Sequence, residues 1–557
     1  MAERGGGEGA TKVPVVIAGG GPVGMTLATF LHFYGVPCLV VNREPSSRLT
    51  PKGSTHNSRS MEHYRRLGLA RAIRKLGLPA DHPTDVGYFT RLTGWELARL
   101  AMPSEAEKMR RVAAAAPADQ VPEPIFRCNQ MYVERYLFEH LKSLPSVAMR
   151  YGWSCVGFTD RGGDVQVEIE EADTGRRETY VCDYLAGCDG AQGVVRRELA
   201  IRYAGETLNQ DYMGGTMVAS YLRAPDLYRT LDRPRCWQYW MVNRDVRGNV
   251  ISIDGADEFQ MGTQLRAPDD PIDEREMARR FRAAIGADVA FEFLRHARWR
   301  GGQALVADRF GQGRVWLAGD AVHLFSPTGG FGLNTGVDDA ANLAWKLAAL
   351  VHGWGGPALA ASYEAERRPI AVRNTSASAR LARNVGAVPI GPAIDADSPD
   401  GAAARGAASA FLANFGEEFA SLGVQLGARY DDSPIVVPDG TAPPAFDPVV
   451  YRPSACPGGR APHFWLDGHV SLFDRLGRGF TLLRFDGCRA DTAPLVHAAR
   501  ARGVPLSVLD VDGDEARDLY ELGLALVRPD QHVAWRGDRP PEDCAALIAR
   551  VTGWGGG

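Results

Sequence analysis

The chain has 557 residues, 45% hydrophobic and 23% charged, with a net charge of −4. That length predicts roughly three or four domain-sized units, and the near-balanced charge excludes a polyanion partner such as nucleic acid. No apolar run reaches the roughly eighteen residues that a membrane span needs.

The start, MAERGGGEGATK, lacks the apolar core of a signal peptide and reads as a loose leader. Nine scattered cysteines without a C-x-x-C or a metal-spaced cluster read as reduced thiols of a cytoplasmic protein with no metal site. Val13 to Val41 predicts a strand, a helix and a second strand, the opening of a doubly wound parallel sheet. Ser60–Leu69 is a short amphipathic helix, and Val86–Leu100 alternates and turns at Thr93-Gly94 like a hairpin. Gln130–Leu144 is a helix. Val165–Ile169 and Thr179–Leu185 are strands, the second running into AGCDGAQGVVRREL. From Asp211 to Leu265 the pattern (CWQYWMV, NVISID, FQMGTQL) predicts an antiparallel sheet beside the nucleotide domain. Arg314–Ala318 is again a buried strand and Val337–Leu350 a long helix. After Asn384, an Ala-, Gly- and Pro-rich stretch reads as a linker. The last hundred residues resume order: GFTLLRF and PLSVLDV as strands, a helix between them, then a hairpin across Asp530-Gln531.

Two motifs carry chemistry. VVIAGGGPVG is a strand turning through G-x-G-x-x-G into a helix. Gly19 makes the turn, Gly21 admits a pyrophosphate, Gly24 lets helix and strand pack, and the amides from Val23 onward, after Pro22, point at the phosphates. The next strand should end in an acidic residue for a ribose hydroxyl, but LVVNRE has Asn42 followed by Arg43, which resembles a 2′-phosphate site. The loop alone leaves FAD and NADP open. About 300 residues on, RVWLAGDAVHLFSPTGGFGLNTG ends a strand at Gly319-Asp320, so the carboxylate projects from the sheet's carboxyl edge toward a polyol such as a flavin ribityl chain. Pro327-Thr328-Gly329-Gly330 lets backbone approach a flat ring. Gly332-Leu333-Asn334 then opens a helix whose positive end favours a reduced flavin anion.

Together these segments resemble the class A flavoprotein monooxygenases, the FAD-dependent aromatic hydroxylases. Gly19, Gly21 and Gly24 match the family's ADP-binding loop, Asp189 in Cys188-Asp189-Gly190 with Arg196 its second motif, and Gly319-Asp320 with Pro327 its third. Gln130 lies where the family has a flavin-contacting Gln, and Lys52 near an Arg over the phosphates. Gly193 stands where Ser is common. The resemblance covers about residues 13 to 375. The tail resembles the thioredoxin-like domain of the phenol- and polyketide-hydroxylase branch. The implied fold is α/β: a doubly wound, Rossmann-type FAD-binding domain (13–85, 121–205, 301–384), an antiparallel-sheet substrate domain (86–120, 206–300), a linker or connecting helices (385–455) and a thioredoxin-like domain (456–557), after a leader at 1–12. FAD is then expected on the glycine loop, and the NADP-like look of Asn42-Arg43 is coincidental.

The resemblance further implies NADPH or NADH as a transient co-substrate and O₂ activation as a flavin C4a-hydroperoxide, which hydroxylates a phenolic or polyketide-like ring. A phenol reacts best as its phenolate, so a nearby base helps. His56 and Tyr239 are the candidates for catalysis, and Arg91, Trp95, Trp237 and Met241 for substrate contact. Alternation puts Trp237, Tyr239 and Met241 on one face. Each has a plainer competing role, as a solvated loop residue for His56 and as sheet core for the others. Baeyer–Villiger oxygen insertion on the same scaffold and a flavin-bound protein without turnover stay open. Expected partners are a small aromatic molecule and O₂, not nucleic acid or membrane. The tail is equally suited to a homo-oligomer interface and to solubility cover.

Overall fold

The structure is a computed structural model describing residues 11–208, 215–265, 267, 269–466 and 470–555. Residues 1–10 of the expected leader and 211–214 of the expected antiparallel sheet lie outside the described residues. The last two leader positions are strand instead: Thr11 and Lys12 pair with Tyr180 and Val181.

Val15, Val16, Ile17 and Ala18 are all buried, because helices cover both faces of the sheet they sit in. Thr11–Ala18 lies at the centre of a parallel array, flanked by Cys38–Asn42 and Val147–Tyr151 on one side and by Arg177–Gly187 and Val315–Leu317 on the other. The order reverses beside Thr11–Ala18, a topological switch point where ligands bind at the carboxyl ends. Phe331–Val351 packs across this sheet, starting at the Gly332-Leu333-Asn334 stretch expected to open a helix. Ala358–Gly386, a helix of 29 residues, was not visible in the sequence, where Pro369 interrupts the pattern.

The second sheet has seven strands, in the order Glu292–Gly301, Gly215–Arg223, Glu258–Gln264, Arg247–Ser252, Gln238–Val242, Val86–Phe89 and Glu96–Leu100. The parallel pairing of Gln238–Val242 with Val86–Phe89 joins the two stretches of chain that build it. Helix Glu274–Ile285 covers one face and Pro399–Leu412 with Phe415–Glu418 the other. Of the expected linker or connecting helices after Asn384, the structure has helices, and their apolar side chains form one wall of the sheet's core. The tail forms a four-stranded sheet ordered Leu506–Val511, Phe480–Phe485, Leu524–Val527, Val533–Gly537, with its first pair parallel and the others antiparallel.

A seam of buried charge locks the tail onto the first sheet's helices. Arg528 donates to both Glu366 oxygens (2.6 and 2.8 Å) and to Asp530 (2.6 Å), while Lys346 donates to Glu366 at 2.6 Å. Arg460 and Arg59 donate to Glu62 at 2.6 and 2.9 Å. All of these side chains are buried. Burial raises the Glu366 carboxyl, yet Arg528 and Lys346 outweigh it and hold the group below the usual carboxylate range. Among the described residues, no helix is long and apolar enough to cross a membrane.

Candidate active site

Register brings three distant motifs to one edge. Ala18 pairs with Gly187 and Gly187 with Leu317, so Gly19, Cys188-Asp189 and Gly319-Asp320 leave the sheet side by side. Gly19 has φ 108°, and a Cβ there would sit 2.2 Å from the Cys188 carbonyl oxygen. Val23 fills the space over Gly319 and Gly336, locking the first motif to the third. Helix Pro22–Phe33 begins at Gly21 with Pro22 in its first turn and no side-chain cap, so its first amides are left for a ligand. The exposed Asp320 carboxylate has no hydrogen-bond partner among the described residues, while its backbone oxygen is fixed by the Tyr203 hydroxyl at 2.6 Å.

Helix Phe331–Val351 also starts uncapped, behind Gly329 (φ 83°) and Gly330 (φ 65°), just after Pro327. Gly332 has room beside Phe325, and Leu333 packs partly on the main core. The Asn334 side chain is occupied otherwise: it accepts from Asn57 N–H (2.9 Å) and donates to the Thr55 (3.0 Å) and Gly330 (2.6 Å) carbonyls. It thereby stitches segment 55–57 to the glycine loop. Lys52 is exposed nearby; Gln130 donates to Glu134 at 2.5 Å and its amide to Gly53 O at 2.8 Å.

Other expected cofactor residues also make contacts within the protein. The Asn42 oxygen accepts from Gly20 N–H at 3.0 Å, pinning the glycine loop and leaving one lone pair for a ribose hydroxyl. Arg43 is exposed beside Glu44 at 3.4 Å. Asp189 accepts from Val195 N–H at 3.1 Å, and burial raises its carboxyl above the usual value. A Cβ on residue 193 would lie 2.0 Å from the Asp189 Oδ1, which explains the glycine where Ser is common. Arg196 donates to the Ile201 (2.7 Å) and Ala191 (3.2 Å) carbonyls and stacks over Tyr203.

The expected catalytic and substrate residues separate. His56 does not face the loop; in the two-residue strand Thr55–His56 it is Thr55 that lies against Gly330, and alternation turns His56 inward onto Tyr64. Its ring nitrogens lie near the Cys128 backbone without hydrogen-bond geometry, and burial lowers its pKa to about 4. Tyr239 and Met241 pack on the face beneath helix Glu274–Ile285, where the Tyr239 hydroxyl accepts from Cys236 N–H at 2.8 Å. Trp237 is not on their face. It precedes the strand, which begins at Gln238, and joins Tyr88, Trp240 and Phe415 on the opposite side. Arg91 and Trp95 engage the connecting segment, through Asp395 (3.2 Å) and Arg405 (4.0 Å from the ring centroid).

That opposite side is a packed aromatic cluster next to the glycine loop. Tyr88 stacks on Trp240 with centroids 6.2 Å apart and meets Phe415 edge-on at 5.9 Å. Two residues that sequence reasoning missed complete it. Arg127 lies 4.0 Å over the Trp237 ring and donates to the Thr55 hydroxyl. Glu418, one turn beyond Phe415, accepts from Gly329 N–H at 3.3 Å.

The unpartnered Asp320 carboxylate, two uncapped helix starts and the open Gly21 turn fit one extended dinucleotide with its ring at Gly329-Gly330. Residues 12–378 match the FAD-binding domain family and 454–556 the aromatic-ring hydroxylase C-terminal family. The chain belongs to the FAD-dependent aromatic monooxygenases. This monooxygenase is 33% identical to the FAD-dependent monooxygenase apdD of Emericella nidulans, over 97% of this chain and 90% of that protein. It is 30% identical to a putative polyketide hydroxylase of Streptomyces halstedii, over 95% and 94% respectively. The rebeccamycin biosynthetic enzyme RebC, solved with reduced flavin, superposes with a TM-score of 0.87 at 34% identity, covering 98% of this chain and 100% of that one.

Proposed function

We propose that this monooxygenase uses NADPH or NADH and O₂ to hydroxylate a phenolic or polyketide-like ring held at the cluster of Tyr88, Trp237, Trp240 and Phe415. The observation that carries it is the adjacency of that cluster to the Gly329-Gly330 turn, where a flavin ring fits. Bound FAD supplies hydride acceptance and oxygen activation. The chain's own residues do the rest. Gly21 and the amides after Pro22 hold the pyrophosphate, Asp320 orients the ribityl chain, and the uncapped amides of Phe331, Gly332 and Leu333 stabilise negative charge on the ring. The aromatic walls exclude water and present the substrate's edge to the flavin face. The relative named as a polyketide hydroxylase supports the ring-bearing substrate class. The order of the tail's strands supports a thioredoxin-like reading, without a C-x-x-C for redox work.

The test is anaerobic bleaching of the flavin band by NADPH, with and without a panel of phenols. Acceleration by one phenol, followed by a hydroxylated product in air, is the expected result. Equal bleaching without any phenol, or a lactone or ester product from a ketone, overturns it in favour of a reductase or a Baeyer–Villiger enzyme.

A further inference from the structure

Arg127 and Glu418 are both buried beside the aromatic cluster, lie within electrostatic reach of each other, and form no ion pair. Arg127 has one hydrogen bond, to the Thr55 hydroxyl, for its five N–H donors. Glu418 Oε1 takes the Gly329 N–H, while its Oε2 has no partner among the described residues; neither does the Tyr88 hydroxyl. Elsewhere in this protein buried charges of opposite sign close into short pairs, as Arg528 and Glu366 do at 2.6 Å. A buried charge left without its pair is costly. Here the missing partner is external.

We propose that Arg127 and Glu418 form the polar end of the substrate pocket and take an acidic hydroxyl, a phenol or enol: the Glu418 carboxylate removes its proton and the Arg127 guanidinium pairs with the oxyanion. This rests on the reading of the aromatic cluster as the substrate site. In the step the substrate O–H bond breaks and an O–H bond to Glu418 Oε2 forms. Negative charge passes from the carboxylate to the substrate oxygen, Arg127 keeps its proton, and the total charge is unchanged. Burial, opposed by the Gly329 N–H and by Arg127, raises the Glu418 carboxyl to about 7, where a base is poised to exchange protons. Burial lowers Arg127 to about 9, with Glu418 opposing it, so the guanidinium remains charged near neutral pH. Tyr88 is the other titratable group facing Glu418, and burial holds it well above its usual value, hence neutral. A hydroxyl satisfies both groups at once, giving its proton to Glu418 Oε2 and accepting from Arg127, whereas a ketone has no proton for the carboxylate to take.

The probe is 4-nitrophenol, whose anion absorbs visible light, added to the oxidised holoenzyme across the neutral pH range. The wild type is expected to bind it as the anion and to increase its acidity at least about tenfold. Arg127→Gln should lose that shift and bind the anion at least about tenfold more weakly, with Arg127→Lys recovering part of it. Glu418→Gln should keep the shift but lose the inflection near pH 7 in kcat/KM for a phenol that is hydroxylated. Flavin absorbance and melting temperature establish folding of each variant, and the Lys and Glu418→Gln variants suffice where Arg127→Gln does not fold. Failure of the wild type to bind the probe, or an unchanged shift in Arg127→Gln, overturns the assignment. Anion binding with no oxygenated product would instead sink the proposed activity and leave the site standing. Equal hydroxylation by wild type and both Gln variants would do the reverse.

Discussion

Helix Phe331–Val351 serves two polar regions built on opposite terms. At its first turn the amides are uncapped, and near them stand Asp320, Arg127 and Glu418, none of which has an ion-pair partner among the described residues. Farther along the same helix every charge is matched: Asp338 by His63 and Arg367, Asp339 by His323 and Arg367, and Lys346 by Glu366. Arg127 and Glu418 are as buried as the matched charges, so burial does not distinguish a site from a structural seam. The difference lies in completeness. A saturated network specifies how domains sit together, and an unsaturated one marks where a ligand completes the set.

Acid probes both regions together and should give the largest effect. Burial lowers His56 and His463 to about 4 and His532 to about 3, whereas an unfolded histidine titrates near 6.5. Below about pH 6.5 the unfolded chain therefore binds protons that the folded chain refuses. Stability is full above that pH and falls as the pH drops toward about 4, by several kcal/mol in total, as urea titrations at a series of pH values would show. A flat stability profile across that window would mean these rings are hydrated and charged.

Arg528→Met comes next, because it leaves Glu366 and Asp530 buried with less than their countercharge. It should cost about 3–5 kcal/mol, read from the urea midpoint. At the flavin edge the same kind of change should act on binding alone. Asp320→Ala removes one charge-assisted hydrogen bond, so FAD should bind roughly ten- to a hundredfold more weakly, while the apoprotein melts as the wild type does. Full flavin loading of that variant at purification would contradict the placement. The smallest effect, and the sharpest contrast, is Arg127→Met. Removing a charge that has no carboxylate partner should alter stability by under about 1 kcal/mol or raise it. A loss matching that of Arg528→Met would show Arg127 to be part of the structural seam.

The sequence revealed what is local. Glycine turns, the Gly319-Asp320 strand end and the helix after it announce themselves within a few residues, because backbone geometry and amphipathic period are set over that range. Arg127 and Glu418 were invisible for the complementary reason. Arg127 sits in a strand of two residues, and Glu418 in an Ala- and Gly-rich stretch whose composition reads as linker; tertiary packing alone brings them to one cluster. Trp237 was placed with Tyr239 because alternation was extended one residue past the strand's start. Asn42 looked like a change in nucleotide preference, but its amide oxygen binds the loop it follows.

The seam also sets an order of events during synthesis. The Arg528 that neutralises Glu366 is made 162 residues later. At ribosomal rates that interval is roughly 8 to 30 s. Through it Lys346 is the countercharge that Glu366 has, and helix Phe331–Val351 stands without the cover of the tail. A nascent chain can complete its glycine loops early, yet it cannot fasten the helix behind them until Arg528 and Asp530 have left the ribosome. A chain stopped before the hairpin that carries them would leave the charges of Glu366 and Lys346 without that cover.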